Sequence, residues 1–262
     1  MTPELLRERL AQAGDERMKV AEDLFGVADF LRTNSSVQRA LTDPSREQSD
    51  RDALVDRLFA PVVSAVSIQC LHDLVAGHWS RPRDIVHAVE ETGCDAVLLS
   101  AQFDGVLEET EAQLVAVSVF LQSHRDLRNE LSDLSALSPK ARADLAQTVF
   151  QSVLGQPSLR LLRRCVGRTS HGHLLGKLRE LAVRAANLSG RRFVFVESAH
   201  ELSDDQKMRL EKILETKLAS PVSATYTLRP ELLGGLVIRM GTERVDASLA
   251  TRVGALKRTI VG

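Results

Sequence analysis

An apolar pattern near the start of this 262-residue chain returns about 90 residues later, and that repetition constrains the fold more than any other feature. Val20, Leu24, Val27, Phe30 and Leu31 fall at helical spacing, as do Leu54, Leu58, Val62 and Val63 after the polar break Thr42-Asp43-Pro44-Ser45. In the second occurrence Phe120-Leu121 stands for Phe30-Leu31, Leu127 for Val37 and Leu131 for Leu41. After a shift of one residue, Leu145 stands for Leu54, Phe150 for Phe59, Val153-Leu154 for Val62-Val63, Leu162 for Leu71 and Val166 for Val75. Each copy places a Ser-containing polar turn before its second stretch (TDPSREQSD and SDLSALSPK). Two amphipathic segments share a period by construction, but the matched Phe-Leu and Phe positions with a single gap favour a true duplication. Two copies make a tandem helical bundle and not a solenoid.

The rhythm changes after about residue 190. Phe193-Val194-Phe195-Val196 is too short for a helix and rich in strand formers. Ser203-Asp204-Asp205-Gln206 has the form of a capping box opening a helix with Leu210, Ile213, Leu214 and Leu218 on one face, closed by Pro221. Ser223 to Leu228 alternates, Pro230-Glu231 reads as a turn, and Leu236 to Met240 reads as a strand. Gly241-Thr242-Glu243-Arg244 reads as a tight turn into Val245, and Ser248 as the cap of a last helix bearing Leu249, Val253, Leu256 and Ile260. The expected fold is therefore mainly α: a duplicated N-terminal helical bundle followed by a small C-terminal α/β module of order β-α-β-β-β-α. The expected domains are 1–105, 106–190 and 191–262.

Charge and motifs narrow the function. A net charge of −1 gives no global pull toward nucleic acid or anionic lipid. The N-terminus is too charged for a secretory signal, and no run approaches the ~20 apolar residues of a membrane span. Cys70, Cys94 and Cys165 are odd in number and widely spaced, which argues against a disulfide framework and suits a reducing compartment. His171-Gly172-His173 near Cys165 could suggest a metal, but no carboxylate lies at useful spacing and a helix-linking loop is the commoner reading. Gly234-Gly235 lies between a turn and a strand, not before a helix N-terminus, so a phosphate cradle fits poorly and a bulge or positive φ fits better. Residues 160–192 hold nine Lys or Arg against one acid, Glu180. The alternative function is a helical nucleic-acid-binding adaptor using that stretch, and a solvated or partner-facing surface is the commoner explanation. No GxSxG, HExxH or Walker sequence is present.

Two stretches then carry a family resemblance. Val194 to Ala199, followed by Glu201 to Gln206, and Tyr226 to Gly241 with Val245 to Ser248 resemble the δ subunit of bacterial F-type ATP synthase, relative of the mitochondrial oligomycin-sensitivity-conferring protein. The pattern apolar–Gly-Gly–apolar–x–apolar–basic–x–Gly places the family signature at Gly234, Gly235, Arg239, Gly241, Asp246 and Ser248, residues expected to be structural. Residues 107–190 look like the family's N-terminal bundle, and the additional copy resembles the actinobacterial form of the subunit. The resemblance implies a non-catalytic stator subunit with no cofactor, metal or catalytic residue. It implies one copy per complex, peripheral on the cytoplasmic face of the cell membrane. The implied partners are the N-terminal segments of the α subunits in the catalytic head and the stalk b subunit, with no nucleic acid.

Overall fold

The computed structural model describes residues 1–133, 137–168, 173–230, 232, 235–240 and 243–246, with backbone alone at 168 and 243–246. The chain divides into two compact units, Met1–Leu107 and Glu108–Gly262.

The first unit is wholly helical: α1 (Pro3–Ala13), α2 (Arg17–Thr33), α3 (Ser35–Thr42), α4 (Gln48–Phe59), α5 (Ala65–Val75) and α6 (Asp84–Phe103). Thr2 caps α1 by accepting from the Leu5 amide, and Pro3 occupies the first turn, where its missing N–H costs nothing. Arg9 of α1 forks onto Asp73 of α5, Nε to Oδ2 at 3.0 Å and Nη2 to Oδ1 at 3.3 Å. The core is aliphatic: Leu10, Val20, Leu24, Val89 and Leu98 are fully buried. The Phe25 ring lies against α6 where Gly93 leaves room, and a Cβ there would stand 2.7 Å from the ring.

The second unit repeats the helices: α7 (Leu107–Ser123), α8 (Arg125–Ser132), α9 (Pro139–Phe150), α10 (Gln156–Arg168) and α11 (Leu174–Leu188). The expected duplication reaches down to single hydrogen bonds. The kink between α2 and α3 falls at Asn34 (φ −120°, ψ 74°) and that between α7 and α8 at His124 (φ −105°, ψ 77°). Asn34 Nδ2 reaches the Phe30 carbonyl at 2.7 Å, and His124 Nδ1 the Phe120 carbonyl at 2.8 Å. Phe30 meets Phe59 edge to face at 5.6 Å and 88°, and Phe120 meets Phe150 at 6.0 Å and 88°.

Beyond α11 come β1 (Arg192–Ser198), α12 (Asp204–Leu218), β2 (Val222–Leu228), β3 (Leu236–Met240) and β4 (Glu243–Asp246), in sheet order β2-β1-β3-β4. β1 runs parallel to β2 and antiparallel to β3, which is antiparallel to β4. The capping box forms as expected: the Ser203 hydroxyl accepts from the Gln206 amide, and Gln206 Oε1 accepts from the Ser203 amide. α12 ends with Ala219 in the left-handed region (φ 48°), two residues before Pro221. Val194, Val196, Leu214 and Ile238 form the core between α12 and one sheet face. The turn expected at 241–244 is corrected at Glu243 and Arg244: the register Ile238↔Val245 continues through Arg239↔Arg244 to Met240↔Glu243 and puts both in β4, while Gly241 and Thr242 lie outside the described residues. The expected last helix, 248–260, lies outside the described residues.

Candidate interaction surfaces

Of the signature positions, Gly235, Arg239 and Asp246 are described, on or beside β3 and β4. Gly235 opens β3 with φ 82°, a left-handed conformation that favours glycine. Asp246 is the ladder partner of Val237. Gly234, Gly241 and Ser248 lie outside the described residues. Arg239 projects from β3 onto Glu197 of β1, Nη2 to Oε2 at 3.0 Å, while Arg229 takes the other carboxylate oxygen at 3.3 Å. One carboxylate thus ties β3 and the segment after β2 to the central strand. Arg179 of α11 lies 5.7 Å over the Phe195 ring and donates to Gln122 at 2.8 Å. Burial pushes its guanidinium below the ordinary range, and Glu197 works in the opposite direction.

The basic stretch 160–192 does not form one patch. Arg163 meets Asp144 at 3.6 Å. Lys177 and Arg184 share Glu180, Lys177 Nζ donating to both carboxylate oxygens at 3.3 Å and Arg184 Nη2 to one of them. Arg191 reaches Glu111 at 2.7 Å and Glu108 at 3.6 Å. Arg164 is buried, and the Arg168 side chain lies outside the described residues. These charges are spent within the unit, which weakens the nucleic-acid reading: a phosphate backbone needs cations presented on one face.

Glu111 is a site that sequence reasoning did not single out. It stands on α7 with 3% of its surface exposed, accepting from the Ser223 hydroxyl of β2 and from Arg191 Nη2. Burial pushes its carboxyl above the ordinary value, against the pull of Ser223 and Arg191. It therefore pins the helical layer to the edge strand of the sheet. The usable signal was in the repeat: the matching residue of the first copy is Ala21, also buried.

Both helical copies expose apolar groups at matched positions. Phe30 is 40% and Val62 74% exposed in the first; Phe120 is 40% and Val153 66% exposed in the second. Periodicity placed these residues in apolar stripes, but the stripes outrun their cores, as partner-binding surfaces do.

The three cysteines are buried and free, and burial pushes the Cys70 thiol up to about 12. Among the described residues no group of His, Cys, Asp and Glu could hold a metal ion, and no helix is long and apolar enough to cross a membrane. His171 lies outside the described residues.

Comparison with known proteins agrees with this picture. The family model described as ATP synthase delta (OSCP) subunit matches residues 89–260, the second copy and the sheet module. The first copy lies mostly outside that match, yet relatives align across both. The chain is 33% identical to the ATP synthase subunit delta of Frankia casuarinae over 244 residues, 93% of this chain and 88% of the relative. It is 33% identical to that of Corynebacterium aurimucosum over 249 residues, 94% and 91% of the two chains. For Bifidobacterium longum subsp. infantis the figures are 28% over 256 residues, 97% and 92%.

Proposed function

Because the chain belongs to the ATP synthase delta (OSCP) subunit family, we propose that it is a non-catalytic stator subunit, joining the catalytic head to the peripheral stalk so that rotor torque reaches the sites of ATP synthesis. As a family member it is a subunit of a membrane-associated enzyme complex. In this reading units 1–105 and 106–190 receive N-terminal segments of α subunits, and 191–262 holds the end of the stalk b subunit. One copy sits at the cytoplasmic face of the membrane, held there by its partners. Gly234, Gly235, Arg239, Gly241, Asp246 and Ser248 shape the sheet and carry no reaction.

One observation supports this most. A stator must pass force between two binding modules, and α7 is joined to the sheet by a buried, charge-assisted contact from Glu111 to Ser223 and Arg191. Hydrogen bonds of this kind are worth about 1.5–3 kcal/mol each, against about 1 kcal/mol for neutral ones. The test is depletion and add-back. Membranes stripped of the chain should hydrolyse ATP yet fail to pump protons, and the purified chain should restore pumping. Proton pumping that is equally strong without the chain would sink the assignment.

A further inference from the structure

Val194, Val196 and Ile238 turn into the core under α12, so the alternating residues Phe195, Glu197 and Arg239 lie on the other face of the sheet, against which α11 packs. Three guanidinium groups gather on that face around a single carboxylate. Arg239 and Arg229 take one oxygen of Glu197 each, at 3.0 and 3.3 Å. Arg179 lies over the Phe195 ring and donates to the neutral amide of Gln122. Glu197 attracts the Arg179 charge, while Arg229 and Arg239 repel it. Three positive groups and one negative group leave an excess of two positive charges among these residues.

A strand clamp does not require that excess. Tying β3 and the segment after β2 to β1 takes one arginine on each carboxylate oxygen, and Arg239 and Arg229 already fill both. Arg179 adds repulsion that such a clamp could do without. In addition, the Nε atoms of Arg229 and Arg239 are shut off from solvent and meet no acceptor among the described residues. An unmet buried donor is costly, and more so on a charged group. The cluster is nonetheless reachable, because the side chains of Arg229 and Arg239 are 40% and 42% exposed. Thr225 and Thr227, ladder partners of Phe195 and Glu197, put two hydroxyl-bearing residues on the same face.

We propose that this face binds one terminal phosphate dianion, either inorganic phosphate or the end of a small phosphomonoester. Guanidinium groups offer paired N–H donors that match the edge of a phosphate, and several can share one anion. A dianion balances the two surplus charges. A phosphodiester, as in nucleic acid, brings one charge per phosphate and would balance only half of them. The site lies wholly within the second unit and does not depend on the stator reading.

The experiment is isothermal titration of the purified full chain with inorganic phosphate, at constant ionic strength and about pH 8, where a phosphate carries close to two charges. One equivalent should bind per chain. Arg229→Gln and Arg179→Gln should each weaken binding about tenfold, the scale of one cation facing an anion at a partly exposed site. Glu197→Gln replaces the competing carboxylate with a neutral acceptor and should tighten binding several-fold; damage to the fold could only weaken it. Arg209→Gln removes the same charge from an exposed position on α12, across the sheet, and should change nothing. Adenosine monophosphate, titrated separately, identifies the source: tighter binding than phosphate assigns a phosphomonoester, and equal or weaker binding assigns the free ion. Absence of saturable binding to both, weaker binding by Glu197→Gln, or an equal loss in Arg209→Gln would overturn the proposal. So would binding to phosphatidylglycerol vesicles that free phosphate fails to displace.

Discussion

The two helical copies keep the same kinks, aromatic pairs and caps, yet differ at the positions that decide what each one holds. Position 21 of the first copy is a buried Ala, and its counterpart is the buried carboxylate of Glu111 that grips β2. Phe25 and Gly93 interlock in the first copy, and Val115 stands at the position of Phe25 in the second. Arg51 of the first copy reaches only Gln48 in the described contacts. Its counterpart Arg142 is 1% exposed and donates to the carbonyls of Val166 at 2.9 Å, Asp133 at 2.9 Å and Leu137 at 2.8 Å. A duplicated scaffold thus tolerates divergence wherever a compensating partner appears, and the divergences mark the working surfaces.

The largest test of that contrast is Arg142. Arg142→Leu should cost about 3 kcal/mol or more, because the carbonyls of Asp133 just after α8, Leu137 just before α9 and Val166 near the end of α10 lose a charged donor. Arg51→Leu should cost under about 1 kcal/mol. Hydrogen exchange read separately in α9 and α4 would check this, and equal losses in the two copies would break the contrast.

Gly93→Ala should cost about 2 kcal/mol by pressing a methyl group into the Phe25 ring. Phe25→Val should recover much of it in the double variant, giving strong non-additivity by urea denaturation. Additive losses would mean the two residues do not share one space.

The smallest effect concerns Glu111. Its carboxyl lies above its ordinary value of 4.5, so its contribution to stability is fully present below pH 4.5 and is lost as the pH rises through the raised value. Glu111→Gln keeps an acceptor for Ser223 and should flatten that part of the pH–stability profile. Glu111→Ala, which copies the first unit, should cost about 1.5 kcal/mol and speed proteolysis near residues 189–192. An unchanged profile in the Gln variant would remove Glu111 as its source.

Much of this fold was legible in the sequence for physical reasons. Helical period and a shared Phe-Leu register exposed the duplication, and Ser203 with Gln206 announced the start of α12. Other features escaped because the pattern that encodes them is not local. Periodicity identifies an apolar stripe but not whether anything covers it, so the exposure of Phe30 and Val62 was not legible. Glu111 sits among polar α7 residues that read as solvent-facing, and only alignment with Ala21 marks it. The basic stretch looked like a patch because its partners Asp144, Glu108 and Glu111 lie outside it. The hairpin register pulled Glu243 and Arg244 out of the expected turn.

The place where Glu111 enters the sheet has a mechanical meaning. Ser223 belongs to β2, the outermost described strand on its side, bound to β1 through seven parallel residue pairs from Arg192↔Val222 to Ser198↔Leu228. A pull along that strand loads the whole ladder in shear, so its bonds must give way together, whereas a pull across it would unzip them one after another. Anchored this way, the junction is stiffest against sliding and most easily undone by peeling, a directional strength that no count of its hydrogen bonds would reveal.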